Sequence, residues 1–199
     1  MNTDRLAAFS DGVLAIIITI MVLELKVPHS PEWSALLEVL PVALSYALSF
    51  IYISIYWNNH HHLLHTVTRV NGGILWANNN LLFWLSLVPF ATAWAGENHF
   101  ARNPTILYGI ALLMPALAYT PLVFAIQRAE GEDALITRAV GHDAKGKISL
   151  ALYICGIAAA FAAPAAAYVF YVLVAFIWLV PDRRITRQLA RGPGKSAPD

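Results

Sequence analysis

Charge is what this sequence has least of. Across 199 residues there are 13 Lys and Arg and 12 Asp and Glu, 13% of the chain, where soluble domains run near a quarter. With 58% hydrophobic residues and a mean hydropathy of +0.59, that scarcity excludes an ordinary soluble domain and identifies a membrane protein. A net charge of +1, with no basic face outside the loops and tail, argues against a nucleic-acid partner. Cysteine is nearly absent. Cys155 stands alone in an apolar run, so no intrachain disulfide or cysteine-based metal cluster forms, and it reads as core or lipid-facing filler. Val22-Leu23-Glu24-Leu25-Lys26 offers no small-residue cleavage site, so the first apolar stretch is not expected to be a signal peptide. No nucleophile–base constellation or phosphate loop is found, and no enzyme is expected.

What is present is a series of apolar windows. They predict six transmembrane helices, at roughly 4–26, 34–59, 72–95, 104–127, 147–162 and 164–181. The fold expected is all-α and polytopic: a membrane domain over 1–181 and a basic, partly disordered tail over 182–199. Pro28 and Pro31 close the first span, Arg128 to Lys147 reads as the longest polar loop, and Pro164 suits the first turn of the last helix. The Ala-rich run from Ala158 to Ala167 allows close helix approach. With the N-terminus inside, the inner segments hold eleven basic residues, from Arg5 and Arg69 to Lys195, and the outer ones only Lys26 and Arg102. That bias predicts both termini in the cytoplasm. Trp33, Tyr56, Trp57, Trp94 and Trp178 fall near span ends, as an interfacial belt would.

The first helix carries the chemistry. From Gly12 to Leu25 it is apolar except for Thr19 and Glu24, and this run rises only about 21 Å against roughly 30 Å of hydrocarbon. To span, the helix must draw in Ser10 and Asp11. An Asp near the centre of a span costs about 2.5–3.5 kcal/mol, less towards the edge. Ile16, Ile20 and Leu23 fall within roughly 60° of one another. Thr19 lies at the edge of that stripe, Phe9 and Gly12 extend it inward, and Ser10 and Asp11 project to other sides. Two readings are open: the stripe faces lipid or packs, or several copies meet around an axis and stack these side chains into hydrophobic constrictions. Periodicity does not separate them.

Arg5-x-x-x-Phe9-Ser10-Asp11 matches the R-x-x-x-F-S-D signature of the transmembrane protein 175 family of potassium channels, and the chain resembles its bacterial members. Trp57-x-x-His60-His61 at the end of the second span, and Asn80 followed by Pro89-Phe90 in the third, extend the resemblance. It covers the first three spans well and the last three in helix count and size only. The resemblance implies a potassium-selective cation channel of the bacterial inner membrane, with no Thr-Val-Gly-Tyr-Gly filter. It implies a homotetramer whose pore is lined by the first helix of each subunit, and no cofactor beyond permeant potassium. The apolar constriction of the family falls at Ile16, with the next pore-facing levels at Thr19 or Ile20 and then Leu23. Arg5, Phe9, Ser10 and Asp11 are implied to hold the first helix through hydrogen bonds and charge pairing. Trp57, His60 or His61, and Asn80 join them from the neighbouring helices.

The densest polar cluster is His60, His61, His62 and His65. His61 and His65 stand one turn apart, but no Asp, Glu or Cys lies nearby in sequence, so no metal is assigned. Titration of His60 or His61 near pH 6.5 would make this a pH-sensitive joint. Asn78, Asn79 and Asn80 project about 100° apart, and Asn80 reads as the inter-helix tie. The competing function is a proton-coupled cation transporter that uses Asp11 and the His60–His65 cluster as a relay. Against it, no inverted repeat or paired broken helices are found.

Overall fold

The computed structural model describes residues 2–131 and 144–179, and within them every regular element is a helix. α1 (Thr3–Leu23) starts where the Asn2 side chain accepts from the Asp4 N–H, and it stops at Glu24. A short 3-10 turn, Trp33–Ala35, leads into α2 (Leu36–Leu64). α3 (Gly72–Ser86) is capped by Asn71, whose side chain accepts from the Ile74 N–H at 2.9 Å. α4 (Val88–Glu97) follows after a break at Leu87. Then come α5 (Arg102–Glu130), α6 (Ala144–Ala160) and α7 (Pro164–Leu179). Counting α3 and α4 together, six helical segments match the six expected spans.

Their bounds differ from the hydropathy windows in instructive ways. α2 runs to Leu64 rather than to 59, and α5 continues to Glu130 and so takes in Arg128. Backbone hydrogen bonding does not stop where side chains turn polar. At 29 residues each, α2 and α5 extend about 43 Å, well past the hydrocarbon. The third span is broken because Pro89, just inside α4, has no N–H to continue the ladder. Among the described residues, four segments are long and apolar enough to cross a membrane: Thr3–Leu23, Trp33–Leu64, Gly72–Glu97 and Arg102–Glu130. α6 and α7, of 17 and 16 residues, are shorter. The expected tail and the middle of the long polar loop lie outside the described residues.

The helices alternate in direction. At one end Thr3 Oγ1 donates to the Val67 carbonyl at 3.2 Å, and Glu130 accepts from the Thr68 N–H at 2.7 Å. The start of α1, the α2–α3 connection and the end of α5 therefore meet there, bringing Arg5, Arg69 and Arg128 to that end. At the other end Lys26 pairs with Glu97 just beyond α1.

Two cores hold the bundle. The first is aliphatic and joins α1, α2, α3 and α5 through Leu14, Met21, Ile53, Leu81, Leu85 and Leu122. The second joins α2, α4, α5, α6 and α7 through Tyr52, Tyr108, Tyr153, Tyr171, Ala160 and Ala167. In the second core a Cβ on Gly109 would lie 2.1 Å from Tyr171 Oη, and one on Gly156 would lie 2.5 Å from Tyr171 Cε1. Only glycine lets the tyrosine ring pass. α6 and α7 form a hairpin through the Ala-rich turn, tied by Trp178 Nε1, which donates to Ser149 Oγ at 2.8 Å.

Candidate functional site

α1 is covered on one side only. Leu6, Ser10, Leu14, Ile17 and Met21 are buried against the rest of the chain. Their spacing of three and four residues is one helical face. The other side is bare: Phe9, Ile16, Ile20 and Leu23 are 56%, 58%, 44% and 78% exposed, and Gly12 and Thr19 are exposed beside them. The stripe read from the sequence is thus the outward face of α1. Phe9 belongs to it and not to the packing network. Thr19 Oγ1 donates to the Ile16 carbonyl at 2.9 Å, which spends its proton on the backbone and leaves oxygen lone pairs directed outward. Alongside the stripe runs an open groove of about 650 Å³ between α1 and the α3–α4 segment, with Ile16, Ile20, Phe90 and Trp94 along it and Glu24 and Glu97 at its end.

The covered side of α1 is fixed by two polar lines that leave from adjacent residues. The first starts at Ser10, which donates to the Leu6 carbonyl at 2.9 Å and accepts from Asn78 Nδ2 at 3.0 Å. Asn78 Oδ1 lies 2.6 Å from His60 Nε2. An amide oxygen only accepts, so His60 carries its proton on Nε2 in this arrangement. Its Nδ1 is buried without a partner among the described residues. Ser10, Asn78 and His60 are all buried, and each bond passes a proton donor towards α1.

The second line starts at Asp11, whose carboxylate accepts from Trp57 Nε1 at 2.9 Å. The indole stacks on His61, with ring centroids 5.8 Å apart and planes 30° apart. His61 Nε2 in turn lies 3.1 Å from His65 Nε2. This line runs along the surface of α2. Both histidines offered by the sequence are used, one on each line.

Two expectations change. The inter-helix tie falls to Asn78, while Asn79 and Asn80 are exposed. Ile74, Asn78, Leu81, Leu82 and Leu85 share the buried face of α3. That apolar period, extended backwards from the leucines, selects the first asparagine of the three. Arg5 does not pair with Asp11. Arg5 is exposed, and the ion pair found among the described residues is Lys26–Glu97. Six residues on a helix turn about 240° and rise about 9 Å, so the two side chains leave from different faces and different levels. Asp11 takes a neutral indole donor instead. Helix capping falls to Asn2.

Just past the far end of α1, Lys26 donates to Glu97, the last residue of α4. Hydrogen bonding to that carboxylate, and its charge, raise the Lys26 ammonium above its usual value. No local pattern marks Glu97 as the partner of Lys26, because seventy-one positions separate the two. Cys155 is exposed.

Comparison with known proteins bears on this geometry. The family model described as endosomal/lysosomal potassium channel TMEM175 matches residues 5–89, the part that holds both polar lines. A protein named as a potassium channel from Chryseobacterium sp. (strain P1-3) is 58% identical over 189 residues, 95% of this chain and 98% of that one. A potassium channel of Streptomyces collinus is 33% identical over 135 residues, 64% of this chain and 66% of its own. Among solved structures, a lysosomal potassium-selective channel TMEM175 homolog from Chamaesiphon minutus matches with a TM-score of 0.76 at 30% identity. That match covers 92% of this chain and 97% of the other.

Proposed function

The chain belongs to the TMEM175 family of potassium channels, and from that premise we propose that it is a potassium-selective channel working as a homotetramer. The α1 helices of four copies surround the pore. The carrying observation is the one-sided burial of α1: the chain pins one face and leaves Phe9, Ile16, Ile20 and Leu23 bare. Four copies of that face around an axis stack Ile16 and Leu23 into apolar rings, which close by contact and dewetting. A small outward rotation admits a partly dehydrated ion. Selectivity then follows from pore width and dehydration cost, with Thr19 hydroxyls as weak ligands or Ile20 as a further apolar level. Ser10 and Asp11 support the pore helix without binding ions. Potassium is the permeant ion, and no cofactor is needed. The membrane is the bacterial inner membrane, with both termini cytoplasmic, a reading supported by the eleven-to-two distribution of basic residues. Family membership and full-length similarity to named potassium channels disfavour a proton-coupled carrier.

The test is a reversal potential. Purified protein in a planar bilayer, with potassium on one side and sodium on the other, reverses near the potassium equilibrium potential. Thr19→Ala narrows the discrimination, and Leu23→Ala raises the resting leak. Flux that appears only under a proton gradient would replace the channel by a carrier. Reversal potentials unchanged in Thr19→Ala would leave Ile20 as the facing level.

A further inference from the structure

The geometry at the end of α2 points to a site that the permeation reading does not use: we propose that His61 and His65 bind a late first-row divalent transition metal such as Zn²⁺ or Cu²⁺. Sequence spacing alone offered two donors and no third. Among the described residues no group of three or more His, Cys, Asp or Glu side chains converges, so a closed structural cage is not formed. A two-histidine site needs none, because water fills the remaining positions. What decides is the distance. The two Nε2 atoms lie 3.1 Å apart, and with metal–nitrogen bonds of about 2.0–2.1 Å that spacing subtends about 95–102° at a shared ion. The angle falls between octahedral and tetrahedral values. The rings meet obliquely, edge to face, with centroids 4.4 Å apart, so a modest rotation about the soft χ2 torsion aims both lone pairs at one ion.

Access and chemistry agree with this. His65 is exposed and His61 half-buried, so the ion enters from solvent and keeps its water. Imidazole nitrogen is a preferred ligand for zinc and copper. Helical continuation through His65, whose backbone remains in the right-handed region, holds the pair one turn apart without help from other elements. His62 has a different place: its ring lies edge-on to His61 with centroids 5.8 Å apart, and it leaves the helix one residue round. The bound ion lies one ring away from the indole that holds Asp11. The site stands whether or not α1 lines a pore, so metal binding and ion flux fail separately.

Untagged full-length protein in detergent is titrated with ZnCl₂ by calorimetry, and with CuCl₂ by electron paramagnetic resonance to detect nitrogen ligands. One ion binds per chain. His61→Ala and His65→Ala each weaken binding by at least the roughly tenfold that loss of a supporting bond costs, while His62→Ala binds as wild type does. Absence of binding to the wild type, binding that survives both His61→Ala and His65→Ala, or an equal loss in His62→Ala overturns the site. Neither ring is fully buried, so their removal leaves the fold intact, which circular dichroism of each variant checks.

Discussion

The two cores of this bundle solve the same problem in different ways. Around α1 the packing is aliphatic and tolerant in shape, and position is set by a few hydrogen bonds: Ser10 to Asn78 to His60, and Asp11 to Trp57. Around α5, α6 and α7 position is set by close approach, with Gly109 and Gly156 admitting the Tyr171 ring at distances no side chain would allow. Even the polar contacts there join buried tyrosines, as where Tyr108 Oη lies 2.9 Å from Ser49 Oγ. The difference teaches a division of labour. A region held by shape acts as scaffold, although its helices too leave outer residues bare, as Val169, Leu173 and Phe176 of α7 are. A helix held by a few bonds on one face keeps its other face available.

The sharpest way to break that contrast is Gly109→Ala. Its Cβ would meet Tyr171 Oη at 2.1 Å and Ile157 Cγ1 at 2.7 Å, and overpacking of this kind in a buried site costs about 3 kcal/mol. Denaturation in detergent reads the loss; wild-type stability would mean that close approach does not hold the second core. Asn78→Leu comes next. It leaves His60 Nε2 without a buried partner and removes the donor that Ser10 accepts from, a loss of about 1–3 kcal/mol, whereas Asn80→Leu, on the exposed face, leaves the stability of the subunit unchanged. Equal losses in the two variants would erase the distinction between a tied residue and an outward one. Trp57→Phe keeps a ring against His61 and removes only the N–H that Asp11 accepts. Exposure of that bond limits the loss to about 1 kcal/mol. A loss as large as that of Asn78→Leu would make the surface line the stronger of the two.

The smallest effect is expected at the opposite end. Lys26 and Glu97 form an exposed pair, and such pairs contribute little. Lys26→Gln should leave the melting temperature unchanged within error. The sign of its pH dependence is also fixed. Glu97 raises the Lys26 ammonium above 10.5, so any contribution is fully present at neutral pH and is lost only as pH rises through that raised value. A melting drop comparable with Asn78→Leu would show both ends of α1 to be tied equally.

Much of this was legible from particular residues. The period of Ile16, Ile20 and Leu23 located the bare face of α1, and the Ser10–Asp11 pair marked where polar partners were required. Pro164 marked the start of the last helix. What escaped has physical reasons. Three consecutive asparagines carry the same chemistry, and only the leucine period downstream separates Asn78 from Asn80. An Arg and an Asp in one motif suggest a pair by charge, while the pitch of a helix sends them apart. Helix ends outran hydropathy because His60, His61 and Glu130 are as helical as the leucines before them. The glycine–tyrosine contacts of the second core join residues far apart in sequence, such as Gly109 and Tyr171, and nothing local signals them.

The tie at Ser10 also acts as a phase lock. A hydrogen bond tolerates a displacement of a few tenths of an ångström, which at the radius of a helix side chain is a rotation on the order of 10°. Thr19 and Ile20 differ by about 100°. Turning α1 far enough to exchange one for the other would pull Ser10 off Asn78 and drive Phe9 or Asp11 into a slot cut for a hydroxyl. The azimuth of Thr19, Ile20 and Leu23 is therefore set more than two turns away, at the buried base of the helix, like a key cut at one end and read at the other.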